Sequence, residues 1–259
     1  MKVLFIGDII GRTGRFAVRD LLPEIISKNK IDITIANGEN SAGGFGITKR
    51  VADELFSYDV DILTMGNHTW DNKKIFDFID NYSRIVRPLN YNENVPGKGW
   101  TVIKYKDLKV AIINFIGQIF LMGNNSPFAS FDKYIKTIKK EANIILIDFH
   151  AEATGEKLAF ANYIDGKVTG VVGTHTHVQT SDNMLLREGT AYITDLGMTG
   201  AVDSILGMSK ERVIKRFRTQ IPIKYKVGKG SYKIEGAIID INEKSGLSNS
   251  IKRLRIVKK

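Results

Sequence analysis

The chain has 259 residues, and with 43% hydrophobic content it can bury a large core as one big domain or two small ones. It contains no cysteine, which excludes a disulfide framework and any zinc or iron–sulfur site built on thiolates. The formal net charge is +10, and residues 209–259 hold 15 Lys and Arg against 4 Asp and Glu, leaving 23 against 24 in residues 1–208. Any metal site must therefore use oxygen and imidazole ligands, and the excess of positive charge is C-terminal.

In chain order, short apolar runs alternate with amphipathic stretches. Strands are predicted at KVLFIG, DITIA and DILTM, with helices between them at RFAVRDLLPEIISK and TKRVADELFSY, which gives a β-α-β-α-β opening. Later runs that predict strands are VIKY, KVAIINFI, NIILIDF, KVTGVVG, AYITDLG and EGAIIDI, with a turn at KDL between the first two. Because no repeat or long linker divides the chain, we predict a single α/β domain over residues 1–259.

The first apolar run ends at Asp8, which is too early for the core of a signal peptide, and no later run approaches the length of a membrane helix. We therefore expect a cytoplasmic protein. The basic residues 209–259 could contact RNA or another polyanion, although their spacing also suits the solvent face of a helix and of strands. The sequence leaves both readings of this segment open.

All four histidines follow predicted strands, and so do several short carboxylates and amides. The residues at these strand ends are Asp8, Glu39, Asn40, Asn67, His68, His150, His175 and His177. Taken one at a time, they could be helix caps, core histidines or surface ion pairs. Because the carboxyl ends of parallel strands lie on one edge of a sheet, the joint pattern instead favours a metal site. Its mixed oxygen and nitrogen ligands suit manganese, iron or zinc.

The motifs at these strand ends resemble those of the calcineurin-like metallophosphoesterases, most closely the YmdB-like branch. They are GD (7–8), NGEN (37–40), GNH (66–68), DFH (148–150) and GTHTH (173–177). The stretches GDIIGRTGR, DFHAEATGEK and TDLGMTG are also similar to that branch, so the match extends to about residue 210. The wider superfamily has Asp-x-His in its first motif and a bridging Asp, whereas this chain has Asp8-Ile9-Ile10 and Glu39. At both positions the sequence resembles the YmdB-like branch rather than the wider superfamily.

The resemblance implies a sandwich of two packed mixed β-sheets flanked by helices, with two metal ions at its edge. It implies a first ion held by Asp8, Glu39, Asn40 and His177, and a second held by Glu39, Asn67, His150 and His175. Glu39 would bridge the ions, and the histidines of GTHTH would each bind a different one. Iron or manganese is expected, with zinc open. The resemblance gives His68 the role of proton donor, and Asp71 is close enough in sequence to orient its ring.

The implied activity is hydrolysis of phosphodiesters, especially 2′,3′-cyclic nucleotides, by water that the two ions activate. An alternative is a metal-containing regulatory protein that binds RNA or a partner through residues 209–259, with weak or secondary hydrolysis. A homo-oligomer is also open. The glycine-rich stretches GDIIGRTGR and SAGGFG match neither a P-loop nor the dinucleotide fingerprint. We expect SAGGFG to form a flexible lip over the substrate.

Overall fold

The computed structural model describes residues 1–121 and 123–258. Its strands are β1 (Lys2–Ile6), β2 (Asp8–Ile9), β3 (Ile33–Asn37), β4 (Ile62–Thr64), β5 (Ile85–Val86), β6 (Trp100–Tyr105), β7 (Leu108–Ile116), β8 (Ile144–His150), β9 (Gly170–Thr174), β10 (Met184–Leu185), β11 (Ala191–Ile193), β12 (Met198–Ala201), β13 (Tyr232–Ile241) and β14 (Ser248–Lys258). Its α-helices are α1 (Gly11–Asn29), α2 (Lys49–Phe56), α3 (Pro127–Glu141), α4 (Thr154–Tyr163) and α5 (Lys210–Thr219). Short 3₁₀ helices lie at Lys73–Asp77 and Ile79–Asn81.

The strands form two mixed sheets. Sheet A follows the order β2-β12-β13-β1-β3-β4-β5, and β14 also pairs with β13. Within it, β1, β3, β4 and β5 are parallel, whereas β13 runs antiparallel to β1, β12 and β14. Sheet B follows the order β10-β11-β9-β8-β7-β6. Its four central strands, β11, β9, β8 and β7, are parallel, and the edge strands β10 and β6 are antiparallel to their neighbours. The parallel strands consist mainly of buried Val, Ile and Leu, as expected for strands covered on both faces.

The two sheets pack face to face, and helices cover their outer faces. The shared core includes Val3 and Ile35 of sheet A and Ile112 and Leu146 of sheet B. Helices α1 and α2 cover the outside of sheet A through a separate apolar cluster, and α3 and α4 cover the outside of sheet B. The predicted sandwich of two mixed sheets flanked by helices is therefore confirmed.

The turn predicted at KDL is confirmed as a hairpin between β6 and β7, in which Tyr105 pairs with Leu108. Lys106, in this turn, has a positive φ of 52°. Within residues 1–121 and 123–258, we find no helix that is both long and apolar enough to cross a membrane.

Candidate active site

Strands of both sheets end at one edge of the sandwich, and this edge carries the predicted site residues. In sheet B, the parallel register places His150, the last residue of β8, beside Thr174, the last residue of β9. In sheet A, β1, β3 and β4 run parallel and their following segments reach the same edge. The predicted residues brought together there are Asp8, Glu39, Asn40, Asn67, His68, His150, His175 and His177.

The first group of side chains surrounds the amide of Asn40. Its Nδ2 lies 3.3 Å from Asp8 Oδ1, 3.4 Å from Glu39 Oε1 and 3.4 Å from His177 Nε2. His177 Nε2 is also 3.4 Å from Asp8 Oδ1. Rotating the amide by half a turn would present its oxygen to the same three atoms, because the two ends of an amide have nearly the same shape. The four side chains could then hold a cation through oxygen and imidazole ligands.

The second group surrounds the Nε2 atom of His150. This nitrogen lies 2.9 Å from Asn67 Oδ1, 3.0 Å from Glu39 Oε1 and 3.0 Å from His175 Nδ1. The ligand atoms of Glu39, His150 and His175 all lie within 4.8 Å of one another, which is close enough to hold one metal ion. Glu39 Oε1 belongs to both groups, so its carboxylate is the point where they meet.

The imidazoles of both groups have an acceptor at the ring nitrogen that faces away from the cluster. For His150 this acceptor is the Thr174 hydroxyl at 2.9 Å, for His175 it is a Glu152 carboxylate oxygen at 2.9 Å, and for His177 it is the Leu206 carbonyl at 3.4 Å. A histidine that donates outward presents a lone pair inward, which is the tautomer that a metal ligand needs. The atoms that face the centre of the cluster are then mostly hydrogen-bond acceptors, and a bound cation would interact favourably with all of them.

The carboxylates of the cluster are held in their charged form. Burial opposes ionisation of Asp8, but His177 and the His175 backbone amide outweigh it and lower the pKa of Asp8 below its usual range. Burial likewise opposes ionisation of Glu39, and His150 more than offsets it, so the pKa of Glu39 is also lowered. Although burial disfavours the charged imidazole, Glu39 raises the pKa of His150 to about 9. The carboxylates of the cluster therefore stabilise one positive charge on the His150 imidazole, whereas burial and that charge lower the pKa of His175 to about 3.

His68 lies beside the cluster and is partly exposed. Its backbone amide donates to Glu39 Oε2 at 2.8 Å, and its Nδ1 lies 2.7 Å from Asp71 Oδ2. This pair with Asp71 leaves Nε2 as the ring nitrogen available to a substrate. The rings of Phe45 and His68 pack edge to face with their centroids 5.0 Å apart. Phe45 belongs to the predicted lip SAGGFG, in which Gly43, Gly44 and Gly46 all have positive φ.

The GTHTH segment follows a strained backbone path. His175 has a φ of 100° and His177 a φ of 64°, values that side chains with a Cβ rarely adopt. A buried ion pair lies beneath this segment: Lys157 Nζ is 2.8 Å from Asp195 Oδ2 and donates to the Thr174 carbonyl at 2.8 Å. Asp195 Oδ2 also accepts the Thr176 backbone amide at 3.1 Å. This ion pair therefore holds the segment that carries both histidines.

Sequence reasoning missed the residues that support the predicted ligands. Asp148 accepts the hydroxyls of Thr174 at 2.6 Å and Thr64 at 2.5 Å, and burial raises the pKa of Asp148 to about 6. A signal for Asp148 was available, because it lies two residues before His150 and so faces the same way in β8. Lys157 and Asp195 are 38 positions apart, and nothing in their local sequence indicates that they pair.

Several lysine side chains of residues 209–259 form ion pairs with acidic residues. Lys210 pairs with Asp203, Lys258 lies 3.0 Å from Asp20, and Lys233 lies 2.7 Å from the buried Glu235. The RNA contact predicted for residues 209–259 stays a prediction.

The chain is similar to other proteins over nearly its whole length. The model of the YmdB-like protein family matches residues 4–254. A 2′,3′-cyclic-nucleotide 2′-phosphodiesterase of Bacillus subtilis (strain 168) is 48% identical over 256 residues, which cover 99% of this chain and 97% of the relative. The crystal structure of a hypothetical protein from Thermus thermophilus has a TM-score of 0.94 at 36% identity, with 100% of both chains covered. That of a phosphatase from Mycoplasma pneumoniae has a TM-score of 0.93 at 32% identity, with 99% of this chain and 93% of the other covered.

The two sheets, their flanking helices and the polar edge where strands of both sheets end are those of a calcineurin-like metallophosphoesterase. We accordingly assign the chain to the hydrolases that act on phosphoester bonds. Within that class, the chain belongs to the YmdB-like family.

Proposed function

We propose that the protein is a dinuclear metal-dependent phosphodiesterase that hydrolyses 2′,3′-cyclic nucleotides. The observation that carries this proposal is the pair of ligand groups that share one carboxylate oxygen of Glu39. Sites that cleave phosphoesters with two metals hold their ions about 3.5 to 4 Å apart, which a shared carboxylate permits.

In this proposal Asp8, Glu39, Asn40 and His177 hold one ion, and Glu39, Asn67, His150 and His175 hold the other. Three imidazoles with carboxylate and amide oxygens form a donor set suited to iron or manganese, and zinc remains possible. The ions supply Lewis acidity, which lowers the pKa of the attacking water and offsets the negative charge on the phosphoryl oxygens.

His68 supplies the proton that the leaving oxygen needs. As the water oxygen bonds to phosphorus and releases its proton to solvent, the bond from phosphorus to the 2′ oxygen breaks and that oxygen takes a proton from His68 Nε2. Asp71 Oδ2, 2.7 Å from Nδ1, fixes the orientation of the ring so that Nε2 faces the leaving oxygen. The products are a nucleoside 3′-phosphate with a 2′ hydroxyl, and His68 recovers its proton from solvent.

The choice of substrate is supported by the Bacillus subtilis relative, whose name specifies a 2′,3′-cyclic nucleotide and its 2′ bond. Its similarity extends over 99% of this chain.

The proposal is tested by removing metal with a chelator, restoring manganese or iron, and following 2′,3′-cyclic AMP by phosphorus NMR. We expect hydrolysis only in the restored protein, with adenosine 3′-phosphate as the product. Asn67→Ala, which removes a predicted ligand, should remain inactive under the same conditions. Absence of hydrolysis with either metal would contradict the proposed activity, and a 2′-phosphate product would contradict the proposed leaving group.

A further inference from the structure

A cavity of about 360 Å³ opens beside the predicted metal ligands. Its wall includes Glu39, His68 and His177, which are polar groups of the candidate active site. The wall also includes apolar and aromatic side chains, here called the apolar lining, namely Phe45, Ile205, Leu206, Met208, Val213, Phe217 and Tyr225. Small-molecule sites commonly combine such an apolar wall with a few polar groups that fix orientation. With the proposed metal ions bound beside these polar groups, the cavity would suit a ligand that has an anionic part and a flat, apolar part.

Helix α5 contributes an exposed aromatic ring to the apolar lining. Val213 and Phe217 are four residues apart and lie on the same face of the helix. Val213 is only 5% exposed, whereas Phe217 is 78% exposed. Packing of α5 against the rest of the protein therefore buries Val213 but leaves most of the Phe217 side chain exposed. An aromatic ring left open in the wall of a cavity is well placed to stack on a ligand.

The other two aromatic rings of the wall are held in place by contacts of their own. Arg216 lies over the ring of Tyr225, with its Cζ 4.7 Å from the ring centroid. Arg212 donates to the Lys224 carbonyl at 2.9 Å, which ties the segment before Tyr225 to α5. The rings of Phe45 and His68 pack edge to face, so Phe45 lies beside the polar groups of the site. The apolar lining thus includes three aromatic side chains.

We propose that the apolar lining around Phe217 is the nucleobase site of the enzyme, in which the base of the substrate stacks on the Phe217 ring. The inference rests on the proposed function, because the cyclic phosphate has to lie beside His68 and the metal ligands. The ribose then connects the phosphate to the stacked base. Because stacking on an aromatic ring is available to every base, we expect the site to accept all four bases, with purines bound more tightly than pyrimidines.

The test compares substrates with and without a base. Wild-type and Phe217→Ala proteins, both loaded with manganese, are assayed on 2′,3′-cyclic AMP and on the 2′,3′-cyclic phosphate of methyl riboside, which lacks a base. Loss of one stacking ring corresponds to about a fivefold to hundredfold loss of affinity. We therefore expect kcat/KM on cyclic AMP to fall by that factor, chiefly through KM, while kcat/KM on the methyl riboside substrate stays within about twofold.

Two further variants serve as controls. Phe217→Tyr keeps an aromatic ring and should retain activity close to wild type on cyclic AMP. Ile214→Ala removes an exposed apolar side chain from the same helix and should leave both substrates unaffected. An equal loss on both substrates in Phe217→Ala, or no loss on cyclic AMP, would overturn the nucleobase site. If the wild-type protein hydrolyses the substrate without a base but not cyclic AMP, the nucleobase site fails while phosphodiester hydrolysis stands. If it hydrolyses neither, the proposed function itself fails.

Discussion

Replacing His68 by alanine should separate the chemical step from the assembly of the site. The imidazole is partly exposed and contacts Asp71 and Phe45. Its backbone amide, which donates to Glu39, is kept in the alanine variant. A partly exposed side chain of this kind contributes about 0.5 kcal/mol or less to stability. A general acid contributes about a hundredfold to ten-thousandfold in rate, equivalent to about 3 to 5 kcal/mol of transition-state stabilisation.

The assay uses two substrates that differ in the leaving group. The alkoxide that leaves from a 2′,3′-cyclic nucleotide needs a proton, whereas nitrophenolate leaves from bis(4-nitrophenyl) phosphate without one. The value of kcat/KM for His68→Ala should therefore collapse on the cyclic nucleotide and fall far less on the nitrophenyl ester. Metal content and the free energy of unfolding, measured alongside, should match those of the wild type.

Asp71→Asn is the matched control, since it keeps the imidazole but replaces the carboxylate beside Nδ1. We expect it to show a smaller loss with the same dependence on the leaving group. If His68→Ala loses activity equally on both substrates, His68 is not a dedicated proton donor. If the variant loses metal, His68 is instead a ligand.

Two further predictions concern residues that support the site. Lys157→Met should lower the free energy of unfolding by about 3 to 5 kcal/mol, because it leaves the carboxylate of Asp195 buried without its ammonium partner. A urea titration measures this, and a loss below about 1 kcal/mol would refute a structural role for the ion pair. Glu152→Gln should keep the fold but weaken metal binding by about tenfold to a hundredfold, because the carboxylate that orients His175 is replaced by an amide. Competition with a chelator checks it, and unchanged affinity would count against that orienting role.

The order of the main elements was predictable because their hydrophobic patterns are strong. The strands predicted at KVLFIG, KVAIINFI and NIILIDF match β1, β7 and β8 to within about one residue, which is the usual uncertainty of element ends. The first helix begins at Gly11, four residues before the predicted stretch RFAVRDLLPEIISK. Its first turn packs closely against β12, where a Cβ on Gly14 would come within 2.5 Å of the Thr199 carbonyl. Only the folded chain reveals this contact.

Strand β14 was not predicted, because its exposed and partly buried residues carry many charges and it lies at the edge of sheet A. Its eleven residues pair with β13 along nearly their whole length. Residues 248–258 are therefore a strand because β13 is available as a partner, and not because of their own hydrophobic pattern.

The candidate site was predictable to the extent that it depends on strand ends. Side chains that follow parallel strands reach one edge whatever the exact packing, and this placed all the predicted residues together. The supporting contacts were not predictable in the same way. The pairing of Lys157 with Asp195 depends on how α4 packs against β11 and the following loop, and the exposure of Phe217 depends on how α5 lies on the protein. Neither arrangement has a periodic signal in the sequence.

The most direct test of the dinuclear site is the metal content of three proteins, measured by elemental analysis after reconstitution with manganese or iron. The wild type should bind close to two ions per chain, because the two ligand groups each need a cation. Glu39→Gln should lose both ions, since its carboxylate belongs to both groups, whereas His150→Ala should keep close to one. A wild-type protein that binds no metal, or Glu39→Gln protein with unchanged metal content, would contradict the shared carboxylate on which the account depends.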